Sequence, residues 1–174
     1  EYRSLHEKSI ELHSAESVHT EWGQCTLHTF RDLIDDTLHF AMSVGDLSAP
    51  GAVPVRVQPM NTLRDFLGTR LDDKAGPGWS YRAAMQYIAA EGRGVVVLLG
   101  GNETPHSILE DLYQLIHAEQ RPAPPQNYRL IGTGAQMLRQ LGLRDLQLMS
   151  APLHFNALSG FNLKITDFLA APRR

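Results

Sequence analysis

The chain has 174 residues, which is enough for one domain with a substantial hydrophobic core and too few for two domains of full size. Apolar residues make up 43% and charged residues 20% of the sequence, ordinary globular proportions that exclude wholesale disorder. The formal net charge is −3, and the longest apolar stretch, GVVVLLGG, is too short to span a bilayer, so neither nucleic acid nor a membrane is an expected partner.

Cysteine content and the first residues set two further expectations. Cys25 is the single cysteine, which excludes an intramolecular disulfide and any multi-cysteine metal site. No signal peptide is visible in the charged N-terminal stretch, and a cytoplasmic location is predicted. The opening EYRSLHEKSIELHSAES predicts a helical linker over residues 1–15, leading from a preceding domain into a domain of residues 16–174.

The first half of the chain alternates apolar and polar residues between turns. ESVHTEW and QCTLHTF alternate on either side of Gly23, and TLHFAMSVGD follows the polar RDLIDD. After a loop, VPVRVQP is a further strand, which ends at Pro59. Alternation with a period of two, broken by turn residues, is typical of antiparallel strands. The first half therefore predicts an antiparallel part of a sheet.

The second half alternates helical and strand patterns. WSYRAAMQYIAAEGRG has helical spacing with Gly92 as its predicted C-cap, and GVVVLLGG reads as an interior strand covered on both faces. TPHSILEDLYQLIHAEQ begins with the N-cap and N1 pair Thr104 and Pro105, and the extended RPAPPQN ends this helix. A helix, a strand, a helical turn and a final strand follow in GTGAQMLRQLG, RDLQLMS, PLHFNALSGF and NLKITDF. The pattern predicts an α/β fold, a mixed β-sheet with flanking helices.

The turn LLGGNETPHS lies between the predicted interior strand and a helix N-terminus. Such a turn can bind phosphate through free backbone N–H groups and the helix dipole, which makes Gly100, Gly101, Asn102 and Thr104 candidate ligand contacts. Many α/β turns carry glycines only to turn, and neither a P-loop lysine nor the full dinucleotide fingerprint is present. Both interpretations stay open at this point.

Other reactive side chains give weaker patterns. His19, His28 and His39 lie in three successive strand-like segments and could hold a metal ion, although strand histidines without a ligand role are commoner. Cys25 has no flanking base, which favours a packed thiol over a nucleophile. The residues alone indicate an α/β domain with a candidate anion site.

Motifs in a fixed order carry a resemblance that covers about residues 15 to 169. HTEWGQCTLHTF resembles a T-x-[FWY]-G-x-F strand pair, LHFAMSVGDLS resembles H-x-A-L-V-x-G-D, and VPVRVQP resembles V-R-V-H-S. AAMQYIAAEGRGVVVLL, GTGAQMLRQLGLRDLQLMSAP and LSGFNLKI match later motifs of the same family. In this order the segments resemble the GTP cyclohydrolase II domain, which many bacteria fuse behind 3,4-dihydroxy-2-butanone 4-phosphate synthase in one riboflavin-pathway polypeptide.

The resemblance implies that the family's catalytic zinc is absent here. The family has three zinc cysteines, one after V-H-S-E and two in C-D-C, and an ungapped alignment from Val55 puts Asn61, Asp72 and Lys74 at their positions. Thiolates suit zinc as soft anionic donors, whereas an amide is a poor replacement and a protonated lysine repels the cation. No cofactor is therefore expected in this domain.

Other parts of the family's machinery are changed as well. GGNETPHSIL, which contains no arginine, replaces the R-Q-E-G-R-G-I-G-L loop that helps to cradle the nucleotide. The acid–base Asp of the family corresponds to Asn127, which cannot exchange protons near neutral pH, while Arg129 matches the nucleophilic Arg and Tyr113 the family tyrosine. The V-E-A-N stretch has no counterpart, and MSAPL at residues 149–153 replaces the T-N-N-P-K triphosphate segment.

Three hypotheses follow from the sequence. The first is a catalytically inactive GTP cyclohydrolase II-like domain with a structural or regulatory role, part of a homodimeric protein whose active enzyme is an N-terminal 3,4-dihydroxy-2-butanone 4-phosphate synthase domain. The second is a sensor that binds a phosphorylated metabolite or nucleotide in the old cleft through Arg56, Arg129 and the turn at residues 100–104. The third is a different metal enzyme that uses histidines.

Overall fold

A computed structural model of the chain describes residues 9–69, 78–117, 128–150 and 160–172. These residues form seven strands: β1 Ile10–Thr20, β2 Gly23–Asp32, β3 Leu38–Val44, β4 Val53–Pro59, β5 Gly94–Leu99, β6 Asp145–Met149 and β7 Lys164–Leu169. They also form three α-helices, α1 Tyr81–Glu91, α2 Pro105–His117 and α3 Tyr128–Gln140, and a single π-helical turn, Thr62–Phe66. No helix in the described ranges is long and apolar enough to cross a membrane.

All seven strands belong to one mixed sheet with the order β1-β2-β3-β5-β4-β6-β7. The neighbours β1, β2, β3 and β5 run antiparallel, whereas the pairs β5–β4, β4–β6 and β6–β7 are parallel. Tight turns connect the first three strands, while parallel neighbours require longer crossovers such as the one through α1. The predicted mixed α/β sheet is confirmed.

The first strand corrects one prediction. Residues 10–15, assigned above to a helical linker, are part of β1 and pair with β2 from Ile10 opposite Asp32 to Ala15 opposite His28. Ile10 is only 1% exposed and belongs to the core, so pairing and burial override a weakly amphipathic local pattern. Residues 1–8 lie outside the described part of the chain, and the proposed boundary with a preceding domain stays a prediction.

The central strand β5 divides the core into two layers. Val95, Val97 and Leu99 pack in one cluster with residues of α3, and Val96 packs in a second cluster with residues of α1. Because successive side chains of a strand point to opposite faces, α1 and α3 cover opposite faces of the sheet. The predicted interior strand, covered on both faces, is therefore confirmed.

The helix ends agree with the sequence signals. Ser80 Oγ accepts a hydrogen bond from Ala83 N (3.1 Å) at the start of α1, and Gly92 ends this helix with φ 78°. At the start of α2, Thr104 Oγ1 accepts a bond from Ser107 N (3.1 Å), which confirms the predicted N-cap. The predicted break RPAPPQN and most of the predicted turn PLHFNALSGF lie outside the described residues.

Candidate functional site

A cleft opens where β4 and β5 end. These strands are parallel neighbours, so their carboxyl ends lie at the same edge of the sheet, the edge where open α/β sheets usually bind ligands. The cavity volume is about 210 Å³. The end of β4, the π-turn, the turn after β5 and the start of α2 form its walls, through Pro59, Met60, Asn61, Arg64, Asn102, Glu103, Ser107 and Asp111.

Asn61, which the sequence comparison above aligned with the family's first zinc cysteine, caps the π-turn. Its Oδ1 accepts a hydrogen bond from Arg64 N (2.9 Å), and its backbone is extended at φ −138°. Glu103 completes the cap, because its carboxylate accepts bonds from Thr62 N (3.1 Å) and Thr62 Oγ1 (2.9 Å). An amide oxygen already used as a helix cap is a poor zinc ligand.

Metal-binding residues do not cluster in the part of the chain that the structure describes. No group of three or more His, Cys, Asp or Glu side chains there could hold a metal ion. Positions Asp72 and Lys74 lie outside the described residues. Neither Asn61 nor the described surroundings of the cleft therefore fits the zinc that the fold family implies.

The two glycines after β5 are required by packing against the start of β3. A Cβ atom on Gly100 would collide with the carbonyl oxygen of Leu38, and a Cβ on Gly101 would lie 2.7 Å from Thr37 Cγ2. Gly101 also has φ 76°, a conformation that favours glycine. The Gly100 N–H is engaged, since it donates to His39 Nδ1 (2.9 Å). The structure thus supplies a packing reason for both glycines.

Asn102 and Thr104, the other candidates in this turn, have different positions. Asn102 lines the cleft, and its Nδ2 donates to the carbonyl oxygen of Met60 (3.2 Å). Thr104 is exposed and is the N-cap of α2, as described above. Of the turn residues predicted to contact a ligand, Asn102 is the one found in the wall of the cleft.

Arg56 lies in the middle of β4 and is mostly buried on the side of α1. Its Nη1 donates to Met149 O (2.9 Å), its Nη2 to Trp79 O (3.3 Å) and its Nε to Gln58 Oε1 (3.0 Å). Desolvation by burial, with a smaller contribution from nearby Arg64, lowers the pKa of Arg56 to about 10, so it remains charged at neutral pH. Arg56 is not part of the cleft wall and ties together three segments of the chain.

The three positions that match the family's catalytic residues are not brought together in the described residues. Tyr113 lies on α2 with 51% of its surface exposed, and its ring stacks at a tilt on His117 (4.1 Å between centroids). Arg129 is in the first turn of α3, where its backbone but not its side chain is described, and Asn127 lies outside the described residues. Their roles stay as predicted from the sequence.

The strand histidines have separate environments. His28 Nε2 is 2.9 Å from Ser43 Oγ, and burial lowers the pKa of the imidazole from its ordinary value. His39 is buried and binds the turn at Gly100. Each of these two histidines has a hydrogen-bond contact within the protein that requires no metal ion.

Sequence reasoning missed a polar network centred on Asp65. Asp65 Oδ2 accepts bonds from Gln58 Nε2 (2.8 Å) and Arg64 Nη2 (2.8 Å), and Oδ1 accepts bonds from Arg64 Nε (3.0 Å) and Tyr81 N (2.9 Å). Gln58 is 1% exposed, next to the cleft wall. One feature of the sequence could have indicated this network: Arg56 and Gln58 lie two residues apart, on the same face of an otherwise apolar strand. Buried polar side chains need hydrogen-bond partners, so such a pair predicts further polar groups nearby.

The described cleft wall has no excess of positive charge. Glu103 and Asp111 contribute carboxylates, while Arg64 contributes one guanidinium group that is already paired with Asp65. Phosphate binding is favoured by several unpaired cationic or N–H donors directed at one point. The described walls therefore fit a polar ligand better than a highly charged anion.

Comparisons with known proteins agree with this architecture. The family model described as GTP cyclohydrolase II matches residues 11–170. A 3,4-dihydroxy-2-butanone 4-phosphate synthase from Pseudomonas aeruginosa is 37% identical over 172 residues, which cover 98% of this chain and 46% of the relative. The riboflavin biosynthesis protein RibBA of Chlamydia muridarum is 32% identical over 182 residues, covering 98% of this chain and 42% of the relative.

A solved structure shows the same fold. The crystal structure of RibBX, a two-domain 3,4-dihydroxy-2-butanone 4-phosphate synthase from A. baumannii, matches with a TM-score of 0.67 and 30% identity over 97% of this chain and 43% of that chain. The chain thus spans less than half the length of these relatives. The ordered motifs, the mixed sheet and the family match together show that the chain belongs to the GTP cyclohydrolase II family, in a form related to the fusion proteins of riboflavin biosynthesis.

Proposed function

We propose that this domain does not hydrolyse GTP and has a structural or regulatory role beside a 3,4-dihydroxy-2-butanone 4-phosphate synthase domain in the same polypeptide. In this proposal the synthase domain carries the enzymatic activity, and the domain described here supports its folding, its homodimerisation or the control of its activity. Zinc is not a cofactor of this domain. The protein acts in the cytoplasm.

The observation that carries the proposal is the side chain at the first zinc-cysteine position. Asn61 is an amide, and its oxygen is used to cap the π-turn through Arg64 N. Hydrolytic opening of a purine imidazole ring needs an activated water, which a zinc ion supplies near neutral pH. A general base contributes only about 10²–10⁴-fold, so it does not replace the metal. The further changes, Asn127 and the MSAPL segment at residues 149–153, remove acid–base and phosphate-binding groups as well.

The proposed partner rests on the relatives. Two of the most similar proteins are named 3,4-dihydroxy-2-butanone 4-phosphate synthase, although this chain matches less than half of each. RibBX is a two-domain synthase, and this chain matches 43% of it. If a non-catalytic domain is retained beside a synthase domain, the relatives would be named after the synthase, and this chain would match only part of their length.

A steady-state assay tests the loss of activity. The protein is incubated with GTP, Mg²⁺ and added Zn²⁺, and formate release is measured beside a family member that has the three zinc cysteines. We expect formate release at the level of the enzyme-free blank, because the nucleophile has no activating ion. Formate release that rises in proportion to protein concentration overturns the proposal.

A second candidate function, sensing of a nucleotide or phosphorylated metabolite, is supported by the cleft at the carboxyl ends of β4 and β5. The carboxylates of Glu103 and Asp111 in its wall oppose binding of phosphate groups. Calorimetry with GTP, ribulose 5-phosphate and flavin nucleotides distinguishes the two functions. Sensing is supported if any of these compounds gives a heat of binding that a substitution in the cleft wall, such as Asn102→Asp, abolishes. The absence of binding heat for all of them counts against sensing.

A further inference from the structure

The connection between β4 and α1 contains little regular structure in its described parts that could stabilise its conformation. It runs from Met60 to Ser80, and in its described parts, residues 60–69 and 78–80, the π-turn is the one regular element. The three family zinc positions fall in this connection. An irregular connection of this length needs a local anchor to keep a single conformation, because ordering each residue carries an entropic cost.

Asp65 supplies such an anchor. Its two carboxylate oxygens accept four hydrogen bonds, which join the π-turn to the sheet through Gln58 and to the first residue of α1 through Tyr81 N. Only 12% of the Asp65 side chain is exposed. Hydrogen bonds to an ionised acceptor are stronger than neutral ones, particularly where water has limited access.

The anchor continues beyond Asp65. Gln58 Oε1 accepts a bond from Arg56 Nε (3.0 Å), and Arg56 reaches the carbonyl oxygens of Trp79, just before α1, and Met149, at the end of β6. Trp79 is itself fixed, since its Nε1 donates to Leu169 O (2.8 Å). One continuous network therefore holds both described ends of the connection.

We propose that this network, with Asp65 at its centre, stabilises the described ends of this connection in the way that a metal ion would otherwise stabilise them. A tetrahedral zinc joins residues that are distant in sequence through one central charge of fixed geometry. Asp65 is also a central charge, although its sign is opposite. It joins β4, the π-turn and α1 by accepting hydrogen bonds from their donor groups, whereas a metal ion joins segments through coordinating ligands. The described ends of the connection are thus held independently of metal, and this inference concerns the order of these residues instead of the turnover of GTP.

Hydrogen–deuterium exchange of residues 62–69 and 79–83 tests the inference in the natural full-length protein. Asp65→Asn keeps the size of the side chain but removes the charge and replaces one acceptor oxygen by a donor NH₂ group. Asp36→Asn is the matched control, because Asp36 also pairs with an arginine, Arg31, but at the exposed surface (71% exposed side chain). A third variant, Gln58→Met, keeps the buried chain length and breaks the link between Asp65 and Arg56.

We expect Asp65→Asn to raise exchange in these segments by about tenfold or more, since a carboxylate with four donors is lost, and Gln58→Met to raise it by less. Asp36→Asn is expected to leave these segments unchanged. A separate arm on the unsubstituted protein compares exchange after exhaustive chelation and after addition of Zn²⁺, and we expect both to match the untreated protein within about twofold.

Two results overturn the inference. One is exchange in Asp65→Asn that equals that of Asp36→Asn. The other is chelation that raises exchange of residues 62–69 and 79–83 in the unsubstituted protein, which would show that a metal fastens the segment. If Asp65→Asn does not fold, Gln58→Met takes its place, and exchange in Gln58→Met that equals that of Asp36→Asn then overturns the inference. The chelation arm decides in either case, because it uses the unsubstituted protein.

Discussion

Replacing Gly101 by alanine separates a structural role of the turn after β5 from an anion-binding role. A Cβ on Gly101 would lie 2.7 Å from Thr37 Cγ2 and 3.0 Å from Thr37 Oγ1, and its φ of 76° is strained for alanine. The left-handed conformation costs roughly 1–2 kcal/mol, and overpacking against a stiff β-branched side chain adds about 1–3 kcal/mol. The expected loss is therefore about 2–5 kcal/mol of unfolding free energy.

Gly142→Ala is the matched control for this substitution. Gly142 has φ 82°, close to that of Gly101, but nothing lies within 4 Å of the position where a Cβ would be placed. Its substitution should cost the conformational part alone, about 1–2 kcal/mol. Urea denaturation of both variants measures the difference, and Thr37→Ser combined with Gly101→Ala should recover part of it, because the methyl group in contact is removed.

Either of two results refutes the packing account. If Gly101→Ala and Gly142→Ala lose the same unfolding free energy, the contact with Thr37 has no energetic importance. If Gly101→Ala is as stable as the unsubstituted protein but loses affinity for phosphate in calorimetry, the glycine is retained for binding an anion.

Three other substitutions test separate parts of the structure. Asn61→Ala should lower the unfolding free energy by about 0.5–2 kcal/mol, because the cap of the π-turn is lost. Asn61→Asp should retain most of this stability, because a carboxylate can accept the same hydrogen bond. Urea denaturation measures both variants, and an Asn61→Ala variant as stable as the parent contradicts a stabilising cap. Ile88→Ala, in the fully buried face of α1, should cost about 2–5 kcal/mol by the same assay. His28 has a lowered folded-state pKa, so below its unfolded pKa of about 6.5 the unfolded chain binds more protons and stability falls with falling pH. His28→Gln should flatten the stability profile just below about pH 6.5 and leave the profile well above that pH unchanged. An unaltered slope below about pH 6.5 argues against a lowered pKa of this imidazole in the folded protein.

Much of the sheet was predictable because its signals are local. The alternating segments around Gly23 and the apolar run GVVVLLGG correctly predicted the second half of β1, together with β2 and β5. The Thr104–Pro105 pair and Gly92 correctly predicted helix ends, since caps depend on backbone conformation and on hydrogen bonds a few residues away. The resemblance carried by the ordered motifs was confirmed by the family match.

Local sequence patterns were least informative where distant residues decide the structure. Residues 10–15 read as a weak helix because the charged opening has no strict alternation, and their pairing with β2 depends on residues about 13 to 22 positions away. Arg56 was a candidate ligand contact because arginine binds phosphate, and its bond to Met149 O connects residues 93 positions apart. Such partners cannot be read from a single segment.

The residue types at the aligned zinc positions were readable from the sequence, but their surroundings in the fold were not. The identity of Asn61 was visible in the sequence and indicated a poor zinc position. The Asp65 network was not visible, because it requires Gln58, Arg64 and the N-terminus of α1 to meet in space. Sequence motifs of a family show which residue type stands at each aligned position, whereas the hydrogen bonds of the segment appear only in the folded chain.

Zinc content tests the central claim most directly. The protein is purified without chelators, dialysed against metal-free buffer and analysed by elemental analysis, beside a variant with cysteine at all three aligned positions, Asn61→Cys, Asp72→Cys and Lys74→Cys. The account predicts well below about 0.1 Zn²⁺ per chain in the natural protein. Close to one tightly held Zn²⁺ per chain in this domain of the natural protein would contradict it.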